Sequence, residues 1–313
     1  MAKSVLEAPE FRDENAARAV LEAELWPNGP VCGHCGEKER HYATKRPGRY
    51  RCGNPACRKD FTVTTKTVME SSHIALHKWL QGFHLAASSK KGISAHQLHR
   101  TLKISYKAAW FMEHRIREAM RSGGLQIPPM GGKDAIVEVD ETYYGPVDGA
   151  PRKGRKAVWS PRYRRPILSL VERGGSVRSF HVPVATKENV MQIVMENIHY
   201  ETTLHTDESG LYRNAGWEFA GHQTVVHSKG EYVRNRTIHT NTVEGYFSVF
   251  KRGMRGVYQH CGEKHLHRYL AEFDFRYNHR AGLGYTDDMR ASLAIKGAAD
   301  KRLYFKIPSE ARL

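Results

Sequence analysis

Two pairs of closely spaced cysteines constrain the N-terminal part of this chain more than any other feature of its sequence. Sixteen residues separate the two pairs, and the only further cysteine is Cys261. Pairs at this spacing typically hold zinc in a closed tetrahedral site, where the metal has a structural role. We therefore predict one structural Zn²⁺, with His34 and His41 as substitute ligands. The four cysteines are Cys32, Cys35, Cys52 and Cys57.

A helical pattern follows the cysteine region and extends to about Arg121. Apolar residues recur at helical spacing, and Ser94 and Ser105 stand where the N-caps of a second and a third helix are expected. A short helix, a tight turn and a longer helix are typical of a helix-turn-helix domain, but also of ordinary three-helix packing. The cations that we expect on the exposed, DNA-facing side of the third helix are Lys107, Arg115 and Arg117.

Three acids in the second half of the chain stand on predicted regular elements. Asp140 and Asp207 each follow a β-branched run, which places each of them at the C-terminal end of a buried strand. Glu244 lies in a later helical stretch, and Lys251 follows it by two helical turns, on the same face. Two or three carboxylates on rigid elements are what a pair of Mg²⁺ or Mn²⁺ ions requires for phosphoryl transfer.

Each acid also has an ordinary structural explanation. Asp207 could cap the helical turn that follows it, and Asn241 with Glu244 fits a capping box. Because strand side chains alternate, Asp140 shares its face with Glu138, whereas the next acid points the other way. The neighbouring acids that remain alternative site residues are Glu138, Glu141 and Glu208.

The charge of the chain indicates a polyanionic partner. Lys and Arg number 49 against 33 Asp and Glu, which gives a formal charge of +16. Such an excess favours nucleic acid through counterion release. A basic insertion over residues 145–166 could guide a DNA strand towards the acids, although a merely solvated loop is the alternative. The cations assigned to DNA binding in this insertion and on the late helix are Arg152, Lys153, Arg155, Lys156, Arg252 and Arg255.

No apolar run approaches the roughly 20 residues that span a bilayer. Residues 1–12 also lack the apolar core of a signal peptide. We therefore expect no membrane partner and a cytoplasmic location.

Three segments carry a resemblance to a known family. Val139–Thr142, His205–Ser209 and Asn241–Gly253 resemble the three catalytic blocks of DDE transposases from bacterial insertion sequences. The group most similar is the one that also has an N-terminal zinc ribbon. The resemblance covers nearly the whole chain, from about Trp26 to about Arg280.

The resemblance implies a fold, an activity and a set of site residues. The implied fold is α/β, with a ribonuclease H-like mixed sheet and flanking helices after a zinc ribbon and a helical domain. Asp140, Asp207 and Glu244 would bind two Mg²⁺ ions, Asn241 would be the alternative third ligand, and Lys251 would position a phosphate. The implied partners are the terminal inverted repeats and target DNA, bound by a homo-oligomer in a prokaryotic nucleoid. Two rivals are a DNA-binding regulator with an inactive catalytic domain and a ribonuclease H-like nuclease.

A Gly- and Pro-rich linker sets the main domain boundary. The expected order is an N-terminal helix (1–25), the zinc ribbon (26–70), a helical DNA-binding domain (71–121), the linker (122–132), the catalytic domain (133–282) and a C-terminal tail (283–313).

Overall fold

The computed structural model describes residues 4–121, 127–150 and 163–304, which form two compact units. The first unit combines residues up to 122 with those from 285 onwards, and the second spans residues 123–284. Within the described ranges, no helix is long and apolar enough to cross a membrane. Four cations predicted to bind DNA lie outside the described residues: Arg152, Lys153, Arg155 and Lys156.

The first unit begins with helix α1 (Glu14–Leu25) and a small antiparallel sheet. Asp13 caps α1 by accepting a hydrogen bond of 2.8 Å from the Ala16 amide. Cys52 ends the central strand of the sheet, and the hairpin before it separates the two cysteine pairs. The three strands are β1 (His41–Ala43), β2 (Tyr50–Cys52) and β3 (Asp60–Phe61).

Three helices follow in the same unit. Ser94 and Ser105 cap the second and third of them as predicted, since their side chains accept hydrogen bonds of 3.2 Å from the amides of Gln97 and Ala108. Lys103 has a φ of 50° and ends the second helix in a left-handed turn. The helices are α2 (Leu76–Ser88), α3 (Ala95–Leu102) and α4 (Tyr106–Met120).

A five-stranded mixed sheet forms the centre of the second unit. Its strands are β4 (Ile136–Pro146), β5 (Arg164–Glu172), β6 (Val177–His181), β7 (Thr203–Thr206) and β8 (Gly221–Thr224). Their order is β6-β5-β4-β7-β8, with antiparallel pairing from β6 to β4 and parallel pairing from β4 to β8. The flanking helices are α5 (Lys187–Asn197), α6 (Asn241–Gly253), which continues as a π-helix over Met254–Tyr258, and α7 (Leu266–Asn278). The predicted ribonuclease H-like class, a mixed sheet with flanking helices, is confirmed.

The two faces of β4 pack against different helices. Val137 and Val139 belong to the hydrophobic cluster that includes Val190 of α5. Glu138 lies on the opposite face and accepts hydrogen bonds from the first turn of α6. Because side chains alternate along a strand, Asp140 lies on the same face as Glu138, which is the α6 side of the sheet.

Strand β4 continues past Asp140 to Pro146, so the expectation that Asp140 ends the strand is wrong. The antiparallel neighbour β5 pairs with β4 as far as Pro146, whereas the parallel neighbour β7 pairs with it only as far as Glu138. Asp140 thus lies two residues beyond the last residue of β4 that pairs with β7. Asp207 directly follows the end of β7, so both acids lie at the same edge of the parallel part of the sheet.

The chain returns to the first unit with helix α8 (Asp287–Lys296), which packs against α1, α2 and α4. Ser292 donates a hydrogen bond of 2.8 Å to Glu24 of α1. At Gly297 a Cβ atom would lie 2.3 Å from the carbonyl oxygen of Ala119 in α4, so any side chain there would force the two segments apart. Part of the C-terminal segment is therefore a helix of the first unit.

The burial of α4 corrects part of the predicted DNA-binding face. Arg117 is only 2% exposed and donates to Glu113 over 3.0 Å, so it does not lie on an exposed face. Arg115 is half-buried and donates to the Glu70 carbonyl oxygen over 3.1 Å, and burial lowers its pKa. Of the three expected cations, only Lys107 is exposed.

Candidate active site and metal centre

The four paired cysteines converge on one point in the ribbon. Their sulfur atoms all lie within 4.8 Å of one another, with 3.5 Å between Cys35 and Cys52 and 3.9 Å between Cys32 and Cys57. Four sulfurs at about 2.3 Å from a tetrahedral zinc ion would lie roughly 3.8 Å apart, so the spacing fits. This arrangement supports the predicted structural zinc, and the ring of His34 instead contacts the Asp60 carbonyl oxygen at 3.2 Å.

Zinc removal should open the ribbon, because closed thiolate sites of this kind supply most of the folding free energy of a small ribbon. Trp26 reports on this locally, since its ring centroid lies 5.8 Å from those of Tyr50 and Phe61 beside the buried Cys32 and Cys52. We expect a chelator to release one zinc per chain and to shift the emission of Trp26 to longer wavelength. Metal analysis and fluorescence before and after chelation measure both.

The control for this experiment is the variant Trp26→Phe. It should also release one zinc per chain, but its emission should lack the shift contributed by Trp26. An unchanged emission of the original protein after complete zinc loss would show that the ribbon folds without metal.

Asp140 is the first acid of the second unit's candidate site. It is partly buried, and its Oδ1 accepts a hydrogen bond of 2.8 Å from the Glu141 amide. Burial raises the pKa of Asp140 to about 8, and the charges of Glu141, Asp207 and Glu244 add to this rise. An anion is therefore costly here unless a cation compensates it.

Asp207, the second acid, lies in the loop after β7. Its Oδ1 accepts a hydrogen bond of 2.9 Å from the Ser209 amide, so the acid forms a local turn instead of capping a longer helix. Burial raises its pKa, and Glu208 and Glu244 contribute to the same direction. The same local turn fixes the carboxylate at the end of the strand.

Glu244, the third acid, lies in the first turn of α6. The predicted capping box is not formed: Thr240 is the N-cap residue, and its hydroxyl donates to Glu244 over 3.0 Å. Asn241 is the exposed first residue of the helix. The Glu244 side chain is 44% exposed, so its carboxylate remains accessible from solvent.

The three acids are close enough for their charges to act on one another. Glu244 raises the pKa of both Asp140 and Asp207, and Asp207 raises that of Asp140. Over the described ranges, only the cysteine cluster brings three or more candidate ligands within 4.8 Å of one another, so the acids are spaced more widely than the sulfurs. Hard divalent cations prefer oxygen ligands such as these carboxylates. Two such ions lie about 3.5–4 Å apart, so their ligands are spread more widely than the ligands of a single ion.

Lys251 joins this group from the next turns of α6. It is half-buried, which lowers its pKa, while the charge of Asp140 acts in the opposite direction. Arg252 and Arg255 are exposed at the end of the same helix region. Lys251 is therefore close enough to Asp140 for the two charges to interact, although the two side chains form no ion pair among the described residues.

Glu138 has a role that the sequence did not reveal. It is fully buried, and its carboxylate accepts hydrogen bonds from the Thr242 and Val243 amides at 2.8 and 3.0 Å, at the N-terminus of α6. Arg173 donates to the same carboxylate over 2.7 Å, and His239 lies 3.2 Å away. Glu138 therefore holds the helix that carries Glu244, and it is not available as the first site acid.

The other two alternative acids also have structural partners. Glu141 accepts a hydrogen bond of 2.6 Å from the Tyr212 hydroxyl. Glu208 accepts hydrogen bonds from the His227 and Ser228 amides at 2.8 and 2.9 Å, which lower its pKa to about 2. His227, which the sequence analysis missed, brings its Nε2 within 3.4 Å of Glu244.

Comparisons with known proteins agree with this architecture. Residues 12–60 match the transposase zinc-ribbon domain, and residues 131–278 match the ISXO2-like transposase domain. An uncharacterized protein in transposable element ISH50 of Halobacterium salinarum is 29% identical over 287 residues, which cover 85% of this chain and 91% of that protein. A chain of the simian T-cell lymphotropic virus intasome, solved in complex with PP2A regulatory subunit B56 gamma, is 14% identical, covers 56% of this chain and 67% of that chain, and has a TM-score of 0.28. A similarity at that score carries no weight here.

The mixed sheet and the matched domains define a polynucleotidyl transferase of the transposase type. The two matched segments lie at the two regions where the fold provides a ribbon and a mixed sheet. Two segments that together make up more than half of the chain thus belong to the transposase zinc-ribbon and ISXO2-like transposase domains, and the relative from transposable element ISH50 matches across both.

Proposed function

We propose that this chain cleaves the ends of its insertion sequence and joins them to target DNA, with Asp140, Asp207 and Glu244 as ligands of two Mg²⁺ or Mn²⁺ ions. The observation that carries the proposal is the position of two of these acids at one edge of the sheet and of the third in the first turn of α6, where burial and the charges of the neighbouring acids raise the pKa of Asp140 to about 8. A cation pair between them would remove the repulsion between their charges. Glu244 is preferred to Asn241 as third ligand because its charge acts on both aspartates.

The reaction consists of two phosphoryl transfers at the same site. In the first, water attacks the phosphodiester at the element end, forms a new P–O bond and releases a 3′ hydroxyl. In the second, that hydroxyl attacks a target phosphodiester and displaces the target's 3′ oxygen. Bound divalent ions would supply activation of the attacking oxygen and stabilisation of the leaving oxygen. Lys251, whose charge interacts with that of Asp140, would hold a terminal phosphate, and placement by the protein would account for much of the rate.

The N-terminal unit would recognise the terminal inverted repeats through its ribbon and helical domain. The formal charge of +16 favours DNA over neutral partners, and Lys107, Arg252 and Arg255 are exposed cations that could contact it. Joining two ends to one target calls for more than one active site, so we propose a homo-oligomer on DNA. Such a complex would act on the nucleoid of a prokaryotic cell.

Strand transfer in vitro tests the proposal. Wild-type protein with the element's own ends and a target plasmid should give joined products with Mg²⁺ and none without it. Asp207→Asn should lower the joining rate at least about a hundredfold, because removal of a ligand forfeits transition-state stabilisation worth several kcal/mol. Glu218→Gln is the matched control, since it removes one negative charge from an exposed position of the same unit.

The outcomes separate the rival functions. Cutting without joining would indicate a nuclease. Binding of the ends without cutting, unchanged in Asp207→Asn, would indicate a DNA-binding regulator whose catalytic domain is inactive.

A further inference from the structure

We propose that a basic groove on the zinc ribbon is the main site at which the first unit binds the sugar-phosphate backbone of DNA. The groove is open to solvent, has a volume of about 490 Å³ and lies along the hairpin formed by β1 and β2. Its charged lining comprises four cations and one carboxylate: Lys45, Arg46, Arg49, Arg51 and Asp60. The proposal rests on the proposed function only for the identity of the polyanion as DNA.

Asp60 arranges the groove for an anion. Its Oδ2 lies 2.8 Å from Nη2 of Arg49, and its Oδ1 accepts a hydrogen bond of 2.7 Å from Nε of Arg51. These contacts lower the pKa of Asp60. Both arginine side chains are nevertheless well exposed, at 42% and 60%. Arg51 is held through Nε, so its two terminal nitrogens can still donate to a ligand. One carboxylate thus fixes two guanidinium groups without neutralising the groove.

The backbone of the hairpin is also ordered before any ligand arrives. The Thr44 amide donates to the Arg49 carbonyl oxygen over 2.9 Å, and the Thr44 hydroxyl accepts from the Arg46 amide over 3.3 Å. Cys52, a ligand of the predicted zinc, ends the adjoining strand β2. Little backbone conformational entropy would therefore be lost on binding, which favours affinity.

The chemistry of the groove fits the phosphate backbone at any sequence. Lysine and arginine only donate hydrogen bonds, and phosphate oxygens offer acceptors at every nucleotide, whereas among the base edges guanine is the one that offers them two acceptors side by side. Phosphate contacts position a protein on the duplex without reading its sequence. The exposed ring of Tyr42, at the rim of the groove, adds a hydroxyl that can reach the sugar-phosphate chain.

Helix α4 offers fewer cations to DNA than its sequence predicts. Arg117 is buried against Glu113, and Arg115 is committed to the Glu70 carbonyl oxygen. The groove cations Lys45 and Arg46, in contrast, are both exposed. The structure therefore moves the expected backbone contacts from α4 to the ribbon.

The test measures binding of the full-length protein, zinc-loaded, to a labelled 40-base-pair duplex of the element's terminal repeat and to a scrambled duplex. We expect the double variant Lys45→Gln/Arg46→Gln to weaken binding of both duplexes equally, by roughly 10- to 50-fold at 0.1 M salt. Two lost phosphate contacts should also lower the slope of log affinity against log salt by about two. Unchanged zinc content shows that the ribbon of the variant is folded.

The matched control is Arg12→Gln/Lys296→Gln, which removes one arginine and one lysine from exposed positions of the same unit, outside the ribbon and the helical DNA-binding domain. It should retain most of the affinity and the original slope. Equal losses in both double variants would overturn the proposal, as would tighter binding to an RNA duplex of the same sequence. If wild type joins ends but the groove variant binds like wild type, the groove is wrong and the proposed function stands. If the groove variant loses binding but wild type never joins ends, the groove stands and the proposed function fails.

Discussion

Replacing Glu138 by leucine should lower the free energy of unfolding of the second unit by about 3–5 kcal/mol, because removal of one partner of a buried ion pair leaves the other charge uncompensated. Arg173 would lose its 2.7 Å partner, and the Thr242 and Val243 amides would lose the carboxylate that caps α6. Urea unfolding measures the loss. Hydrogen exchange at these two amides localises it, since their protection should fall further than that of the strand amides.

Two further variants separate the charge from the hydrogen bonds. Glu138→Gln keeps an acceptor for the α6 amides but no charge for Arg173, so we expect a loss of about 1–3 kcal/mol. Glu218→Gln, an exposed acid of the same unit, should stay within about 0.5 kcal/mol of wild type. Wild-type stability and amide protection in Glu138→Leu would refute the capping role.

Local patterns were sufficient to predict the elements of the candidate site. The β-branched run before Asp140, the run before Asp207 and the helical spacing from Glu244 to Lys251 each depend on neighbouring residues, and the structure forms a strand, a strand and a helix there. The cysteine spacing predicted the four-sulfur cluster for the same reason. Strand ends are different: β4 extends past Asp140 because β5 pairs with it there, and the sequence around Asp140 contains no sign of that partner.

Tertiary contacts decide the features that the sequence did not predict. Glu138 in a strand looks like one more site acid, and only contacts with Arg173 and with the start of α6 make it a helix cap. Arg117 follows the buried Ile116, and α4 packs against α2, α3 and α8 together, so its buried face is wider than one apolar stripe. Since α8 comes from the far end of the chain, the periodicity of α4 could not show that Arg117 is buried.

Without divalent cations, the second unit should become less stable as the pH rises towards 8. Burial and neighbouring acids raise the pKa of Asp140 to about 8 in the folded protein, whereas an unfolded chain titrates Asp near 3.9. The folded state therefore keeps a proton that the unfolded state has released, and this contribution to stability is complete below about pH 4 and is lost as pH approaches 8. Between pH 5.5 and pH 8 we expect a loss of roughly 3 kcal/mol in urea unfolding, in Mg²⁺-free buffer without chelator so that zinc is retained.

Mg²⁺ and two variants determine whether Asp140 is the source of this dependence. Millimolar Mg²⁺ should reduce the slope, because a cation bound only by the folded state stabilises the ionised carboxylate. Asp140→Asn should lose most of the slope in Mg²⁺-free buffer, whereas Asp134→Asn, at an exposed residue with a φ of 64° that asparagine tolerates, should keep it. Buried Asp274, whose pKa is raised to about 6, contributes equally to all of these proteins, so the difference between the two variants isolates Asp140. Equal slopes in the two variants would mean that Asp140 is ionised without a cation, and the electrostatic basis for placing metal ions between the three acids would be lost.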